Sequence, residues 1–122
     1  MKDPELEILI SELESRNGLS VAELDGVAHG LVFLLPKTIK SEDLHVDKLD
    51  SSDEAMLVAD RAFPNWAVHI RGRANDKDGH WHCTLRESDV RDNDSVIGTG
   101  RSPILGQAIL AAVMQLAMKM KA

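Results

Sequence analysis

At 122 residues, with 43% apolar and 28% charged side chains, the sequence has the size and composition of one globular domain. Its one cysteine, Cys83, cannot form an internal disulfide and no leader-like segment opens the chain, so we expect a cytoplasmic protein. No apolar run reaches the roughly 20 residues needed to span a bilayer, which excludes a membrane-spanning role.

Charge is divided unevenly along the chain. Residues 1–60 carry five Lys and Arg against fourteen Asp and Glu, a formal charge of −9, whereas residues 61–122 carry nine against six, or +3. An acidic surface attracts basic partners and repels phosphate backbones. Asp43, Asp47 and Asp50 are therefore the candidate residues for binding a protein partner. The alternative interpretation is a solvated surface that keeps a small protein in solution.

A helical hairpin over about 4–35 is the first predicted structure. Asp3-Pro4-Glu5 reads as an N-cap, a first-turn proline and a first-turn acid, and apolar residues then recur at helical spacing. Ser20 and Glu23 match a capping box that opens the second helix, which ends before Pro36. A polar connection follows, with a short strand at 44–46, and Ser51 with the acids after it predicts a short helix over about 52–62.

Three strands are predicted over about 66–98, arranged as an antiparallel meander. Residues 66–71 and 80–86 alternate apolar and polar side chains around a turn-rich segment, which is typical of a hairpin, and residues 95–98 form the third strand. Because side chains alternate between the faces of a strand, Trp66, Trp81 and Cys83 are expected on the buried face.

A long helix over about 103–120 ends the chain. Ser102 and Pro103 suit an N-cap and a first helical position. Gln107, Gln115 and Lys119 share one narrow polar stripe, and the remaining surface is apolar. Since a sheet covers one side of such a helix, we expect either the N-terminal helices or a homodimer to cover the rest.

The expected fold class is therefore α+β. It comprises a three-stranded antiparallel meander covered by N-terminal helices and a long apolar C-terminal helix, in one domain spanning 1–122.

Several short segments together resemble a family of phage proteins. Residues 13–18 and 22–25, then 49–55 leading to Pro64-Asn65-Trp66, are similar in order and spacing to small phage and prophage proteins with a phage ABA-sandwich domain. The run from Gly100 to Pro103 and the alanine-rich residues 108–117 extend the likeness. The resemblance implies a helix-flanked sheet and a mobile genetic element as the source, and it supplies no catalytic residues. Residues 26–46 and 87–94 match nothing in that family.

Two clusters in the second half carry candidate chemistry. His69, His80 and His82 fall on the sheet face opposite the tryptophans. They could coordinate a transition metal if a loop carboxylate joined them as a further ligand. We expect half-exposed strand residues instead, and no metal or cofactor. Gly98 and Gly100 precede a helix N-terminus that could cradle an anion, although a turn with permissive backbone angles also explains them.

Four arginines are the candidate contacts for an anion or a nucleic acid: Arg71, Arg73, Arg86 and Arg101. The strand-and-helix layer also resembles double-stranded RNA-binding domains, which read backbone and 2′-hydroxyl groups by shape. The lysine cluster expected near the start of the last helix of such a domain is missing here. The alternative interpretation is that the arginines are scattered over the surface.

No Ser-His-Asp, paired-carboxylate or Cys-His arrangement can be argued from the sequence, so we expect no enzymatic activity. The leading hypothesis is a small phage or prophage accessory protein that binds a host or phage protein, as an inhibitor of a host defence (anti-CRISPR-like) or of a nucleic-acid enzyme. The alternative is a nucleic-acid-binding module that uses the arginine-bearing hairpin.

Overall fold

Four α-helices and three strands make up the fold in the computed structural model, which describes residues 2–72, 80–87 and 96–121. The elements are α1 (Asp3–Ser15), α2 (Val21–Leu34), α3 (Ser52–Ala62), β1 (Ala67–Arg71), β2 (Trp81–Arg86), β3 (Ile97–Ser102) and α4 (Leu105–Lys121). The strands pair antiparallel in the order β1-β2-β3. This confirms the predicted α+β fold with its meander and C-terminal helix. Residues 73–79 and 88–95, which include most of the predicted turn at 72–79, the predicted loop at 88–94 and the first residue of the predicted third strand, lie outside the described residues.

The starts of α2 and α3 follow the local sequence signals, whereas the start of α1 does not. Ser20 Oγ accepts a hydrogen bond from the Glu23 amide at 3.2 Å, and Glu23 Oε1 accepts one from the Ser20 amide at 3.0 Å, so the capping box is confirmed. These bonds to Ser20 hold the pKa of the Glu23 carboxyl below its usual value. Ser51 Oγ caps α3 through the Glu54 amide. The predicted capping role of Asp3 is wrong, because Lys2 is the N-cap of α1 and no side chain caps it.

The connection between α2 and α3 forms two 3₁₀ turns, Ser41–Asp43 and Val46–Lys48, so the predicted short strand at 44–46 is wrong. Leu44 and Leu49, each following one of the turns, are buried in the core. Arg61 of α3 donates a hydrogen bond to the Asp43 carbonyl at 2.8 Å. The apolar anchors and this bond hold the segment against the helices, away from the three paired strands.

Helix α4 lies between the sheet and the other helices. It packs against β2 and β3 on one side and against α1, α2 and α3 on the others, and its residues 108–114 are fully buried. The buried apolar side chains form one cluster drawn from the helices, the connection and β2. The apolar surface that motivated the homodimer prediction is therefore covered within the chain.

Glycines facing α4 explain why β3 is longer than predicted. A Cβ built on Gly100 would lie 2.4 Å from the Ala108 carbonyl oxygen, and one on Gly98 would lie 2.6 Å from that of Ala112. Both glycines are strand residues in close contact with the helix backbone, and neither has a positive φ. The predicted turn is therefore wrong at these positions, and the two glycines do not form the loop that the alternative of an anion cradle requires. β3 continues to Ser102, and α4 begins at Leu105 rather than residue 103.

The tryptophans lie on the inner side of the sheet, as predicted. Trp66 packs against Phe63 with ring centroids 5.3 Å apart, and the Trp81 ring lies against Gly72, where a Cβ would come within 2.5 Å of it. Both indoles are half-buried against the core. Ile70 is 42% exposed because β1 is the strand farthest from β3, where α4 packs most closely.

Gln107, the first residue of the predicted polar stripe of α4, is fully buried and does not face solvent. Its Nε2 lies 2.9 Å from the Leu13 carbonyl, 2.8 Å from the Arg16 carbonyl and 3.2 Å from Ser102 Oγ. The last carbonyls of a helix have no partner within the helix. The Gln107 amide thus caps the C-terminus of α1 from inside the core.

Candidate nucleic-acid interface

The strand register places nine residues on the side of the sheet that faces away from α4, and we call them the outer sheet face. They form three rows across β1, β2 and β3: Arg71, His82 and Arg101; His69, Thr84 and Thr99; Ala67, Arg86 and Ile97. The alternate residues Cys83, Leu85, Gly98 and Gly100 are buried against α4. The three predicted contact residues that the structure describes, Arg71, Arg86 and Arg101, therefore share one face, whereas Arg73 lies outside the described residues.

The outer sheet face is cationic. It carries three arginines and two histidines, and none of its nine residues is Asp or Glu. Arg71, His82 and Arg101 are exposed, whereas Arg86 is half-buried. Since neighbouring strands lie about 4.8 Å apart, the backbones of Arg71 and Arg101 are separated by about 10 Å with His82 between them. Guanidinium groups at this spacing can contact separate phosphate groups by charge-assisted hydrogen bonds.

Thr84 and Thr99 are functional candidates that the sequence analysis missed. They are directly paired in the register, with Thr84 half-buried and Thr99 exposed. Alternation along the strands could have identified them, because residues two apart in a strand share a face. Thr84 therefore shares a face with His82, and Thr99 with Arg101. The predicted third strand over 95–98 ends before Thr99, so alternation along that strand could not place Thr99 on the outer sheet face.

The three histidines lie on or beside the outer sheet face, and the loop carboxylates of residues 73–79 and 88–95 that could join them as metal ligands lie outside the described residues. Within the described segments, no group of three or more His, Cys, Asp or Glu residues is placed to hold a metal ion. His82 is flanked in its row by Arg71 and Arg101, whose charges disfavour a cation. His80 precedes β2 and lines a groove with Arg101.

This groove, with a volume of about 600 Å³, runs between α1 and the C-terminal half of α4 along the free edge of β3. Glu14 accepts a hydrogen bond from the Arg101 amide at 3.2 Å, and Lys119 Nζ donates one to the Ile97 carbonyl at 3.0 Å. Charged side chains therefore occupy both ends of the β3 edge. Such side chains protect an edge strand from pairing with another chain.

The candidate protein-binding acids lie in the connection between α2 and α3. Asp47 is exposed, whereas Asp43 and Asp50 are half-buried. The backbone carbonyls of two of them make structural contacts. The Asp43 carbonyl accepts the hydrogen bond from Arg61. The Asp50 carbonyl packs so closely against Gly106 that a Cβ at position 106 would lie 1.8 Å from its oxygen. None of the three carboxylates takes part in a salt bridge among the described residues.

Cys83 is the one thiol of the chain and is buried on the inner side of the sheet. Burial raises the pKa of its thiol to about 11. The thiolate is the nucleophilic form of cysteine. At neutral pH the group therefore behaves as a small apolar core side chain.

Comparison of the chain with known proteins finds no matching family model, no matching curated protein and no matching solved structure. The likeness to phage ABA-sandwich proteins thus stays a prediction. None of the helices in the described parts of the chain combines the length and apolarity needed to cross a membrane.

Proposed function

We propose that this protein is a non-enzymatic binding protein that holds the phosphate backbone of a nucleic acid on its outer sheet face. One observation carries the proposal: the register collects Arg71, Arg86 and Arg101 among nine residues of one face, none of which is Asp or Glu. Phosphate contacts by Arg and Lys supply most of the affinity of sequence-independent nucleic-acid binding. This is the alternative that the sequence analysis left open, and the geometry supports it better than it supports an acidic binding face.

The net charge of −6 is compatible with this function because fourteen of the twenty Asp and Glu residues lie in residues 1–60. Residues 1–60 carry the −9 charge and form α1, α2, the connection and most of α3, which pack on the helical side of α4. Opposite charge on opposite sides of a molecule orients it in the field of a polyanion. The outer sheet face would therefore meet the phosphates first.

The test uses a double variant, Arg71→Gln with Arg101→Gln, and fluorescence anisotropy of labelled nucleic acids at several salt concentrations. Each lost phosphate contact should lower the slope of log Kd against log salt by about 1, so we expect a loss of about 2 and binding weakened about ten-fold or more at 50 mM salt. Lys37→Gln with Lys48→Gln removes the same charge from exposed positions in or next to the connection and is the matched control. Equal weakening in the two double variants would contradict the proposed site.

The second candidate function is that of a phage or prophage accessory protein, located in the host cytoplasm, that binds another protein. It is favoured by an apolar groove of about 450 Å³ along α2, whose lining includes Asp25, His29, Phe33 and Val46. Phe33 is 43% exposed, and the groove adjoins the exposed Asp47. A partner with basic and apolar side chains, such as a nucleic-acid enzyme of the host, would fit this combination.

Pull-down from a bacterial host lysate tests the second candidate. A specific partner should be retained by the wild type and by the Arg71→Gln, Arg101→Gln variant, and lost with Phe33→Ser. Charge reversal at Asp43, Asp47 and Asp50 should weaken retention in a salt-dependent way. Retention that none of these changes affects would contradict the acidic connection and the α2 groove as the binding surface.

A further inference from the structure

The outer sheet face carries no Phe, Trp or Tyr ring on which a nucleobase could stack, and its rings are the smaller imidazoles of His69 and His82. The chain contains two Phe, two Trp and no Tyr. Both tryptophans lie on the inner side of the sheet, Phe63 is buried beside Trp66, and Phe33 belongs to α2. Proteins that bind single strands place successive bases on aromatic side chains. This face is therefore suited to a nucleic acid whose bases remain paired and whose backbone is the accessible part.

Hydroxyl groups occupy the centre of the same face. Thr84 and Thr99 form the middle row with His69, between the row that contains Arg71 and Arg101 and the row that contains Arg86. Residues two apart in a strand are separated by about 7 Å, so cations lie about 7 Å to either side of the paired hydroxyls. A threonine hydroxyl both donates and accepts hydrogen bonds, as a ribose 2′-hydroxyl does.

The shape of the outer sheet face fits the minor groove of an A-form duplex better than either groove of B-form DNA. The major groove of B-form DNA admits a helix or a two-stranded ribbon, and its minor groove is only about 6 Å wide. The minor groove of an A-form duplex is wide and shallow and displays the 2′-hydroxyls. A three-stranded sheet face lined by short central hydroxyls and longer flanking arginines matches a shallow surface bordered by phosphates.

On the basis of the proposed function, we propose that the ligand is double-stranded RNA, contacted across its minor groove. Thr84 and Thr99 hydrogen-bond to 2′-hydroxyls, and Arg71, Arg86 and Arg101 contact the phosphates on either side. Discrimination between RNA and DNA then resides in the threonines, whereas overall affinity resides in the arginines.

The experiment measures anisotropy of three labelled probes of the same sequence at 50 mM salt: a 20-base-pair RNA duplex, the corresponding DNA duplex and the single-stranded RNA. We expect the wild type to bind the RNA duplex about ten-fold more tightly than either other probe. Thr84→Val with Thr99→Val should reduce RNA-duplex affinity to the DNA level and leave DNA binding unchanged. The exposed Thr38, between α2 and the connection, provides the matched control Thr38→Val.

The outcomes separate this inference from the proposed function. Equal binding of RNA and DNA duplexes, or an RNA preference that survives the double threonine variant, would overturn the choice of ligand and leave a backbone-binding face intact. Tighter binding of the single strand would also overturn it. Absence of binding to all three probes would overturn both proposals. Circular dichroism of the double variant checks its folding, and valine keeps the β-branched shape that suits a strand.

Discussion

At the scale of single residues, Gln107 joins three parts of the fold. Its side-chain amide contacts two carbonyls from the end of α1 and the Ser102 hydroxyl at the end of β3, and it does so while fully buried in α4. Its Oε1 is buried without a hydrogen-bond partner among the described residues. A flipped amide would place an oxygen against two carbonyl oxygens, so the nitrogen is the atom that faces the end of α1.

We predict that Gln107→Leu lowers the free energy of unfolding by about 1–3 kcal/mol, since it leaves the carbonyls at the end of α1 without their donor. Gln107→Glu should cost more, because a carboxylate would be buried against acceptors. Gln115 lies on the same helix and is half-buried, so Gln115→Leu is the control and should change stability by less than about 0.5 kcal/mol. Urea denaturation measures all three. A Gln107→Leu variant as stable as the wild type would contradict the capping role.

Cys83 provides a second prediction, in alkaline solution. Burial raises the pKa of this thiol from 9.0 to about 11 in the folded protein. As pH rises past 9, the unfolded chain releases the proton while the folded protein retains it, so folding stability present below pH 9 is lost on the way to about pH 11. Cys83→Ala removes this contribution. Urea denaturation from pH 7 to 11 should show wild-type stability falling more steeply above pH 9 than that of the variant, and parallel curves would contradict the prediction.

At the scale of elements, the contact between β3 and α4 determines the geometry of the molecule. Gly98 and Gly100 let the backbone of the helix approach the strand directly, and Gly106 does the same for α4 against the Asp50 carbonyl. These contacts fix the distance between sheet and helix, and with it the orientation of the outer sheet face. A side chain at any of these positions has to displace backbone atoms, which are much less adaptable than the end of a side chain.

We predict that Gly100→Ala destabilises the protein by about 1–3 kcal/mol or more, because its Cβ would lie 2.4 Å from the Ala108 carbonyl oxygen. Gly26 in α2 is the matched control, since a Cβ there meets Leu9 at an ordinary 3.5 Å. Gly26→Ala should stabilise the protein by about 0.5–1 kcal/mol through helix propensity. Thermal unfolding of the two variants should therefore shift in opposite directions, and a shift in the same direction would contradict the close-contact explanation.

The starts of α2 and α3 were predictable from local side-chain caps, whereas the end of β3 and the start of α4 depend on tertiary contact and were not. The capping box at Ser20 and the cap at Ser51 are patterns within four residues, and both are present. The extension of β3 through Gly100 depends on the approach of α4 from elsewhere in the chain. In isolation the same glycines are typical of a turn, which is why the third strand was predicted too short and α4 too early.

At the scale of the whole molecule, the candidate site follows from strand register, which the sequence specifies only in part. The arginines can be chosen from the sequence, but their common face depends on pairing β2 with β3 through glycine-rich residues whose local sequence is typical of a turn. The positions of His69 and His82 opposite the tryptophans follow from alternation alone and agree with the register. The sequence predicts either the N-terminal helices or a second copy of the chain as the cover of α4. Helical periodicity shows that the apolar surface of α4 must be buried, but it does not identify the elements that bury it.

The separation of charge between the helical layer and the outer sheet face leads to the last prediction, which rests on the proposed function. Glu42, Asp47 and Asp60 are exposed in the connection and α3, away from the sheet. Converting them to Gln, Asn and Asn removes long-range repulsion of a polyanion without touching the binding face. The association rate with the RNA duplex should rise about two- to five-fold at 10 mM salt, where charges act over about 30 Å.

The dissociation rate should stay the same, because these acids make no contact with the bound duplex. At 150 mM salt, where the screening length is about 8 Å, the gain in association rate should largely disappear. Stopped-flow fluorescence measures both rates. A change in the dissociation rate would show that the acids contact the ligand or alter the site, and it would contradict the assignment of binding to the sheet face alone.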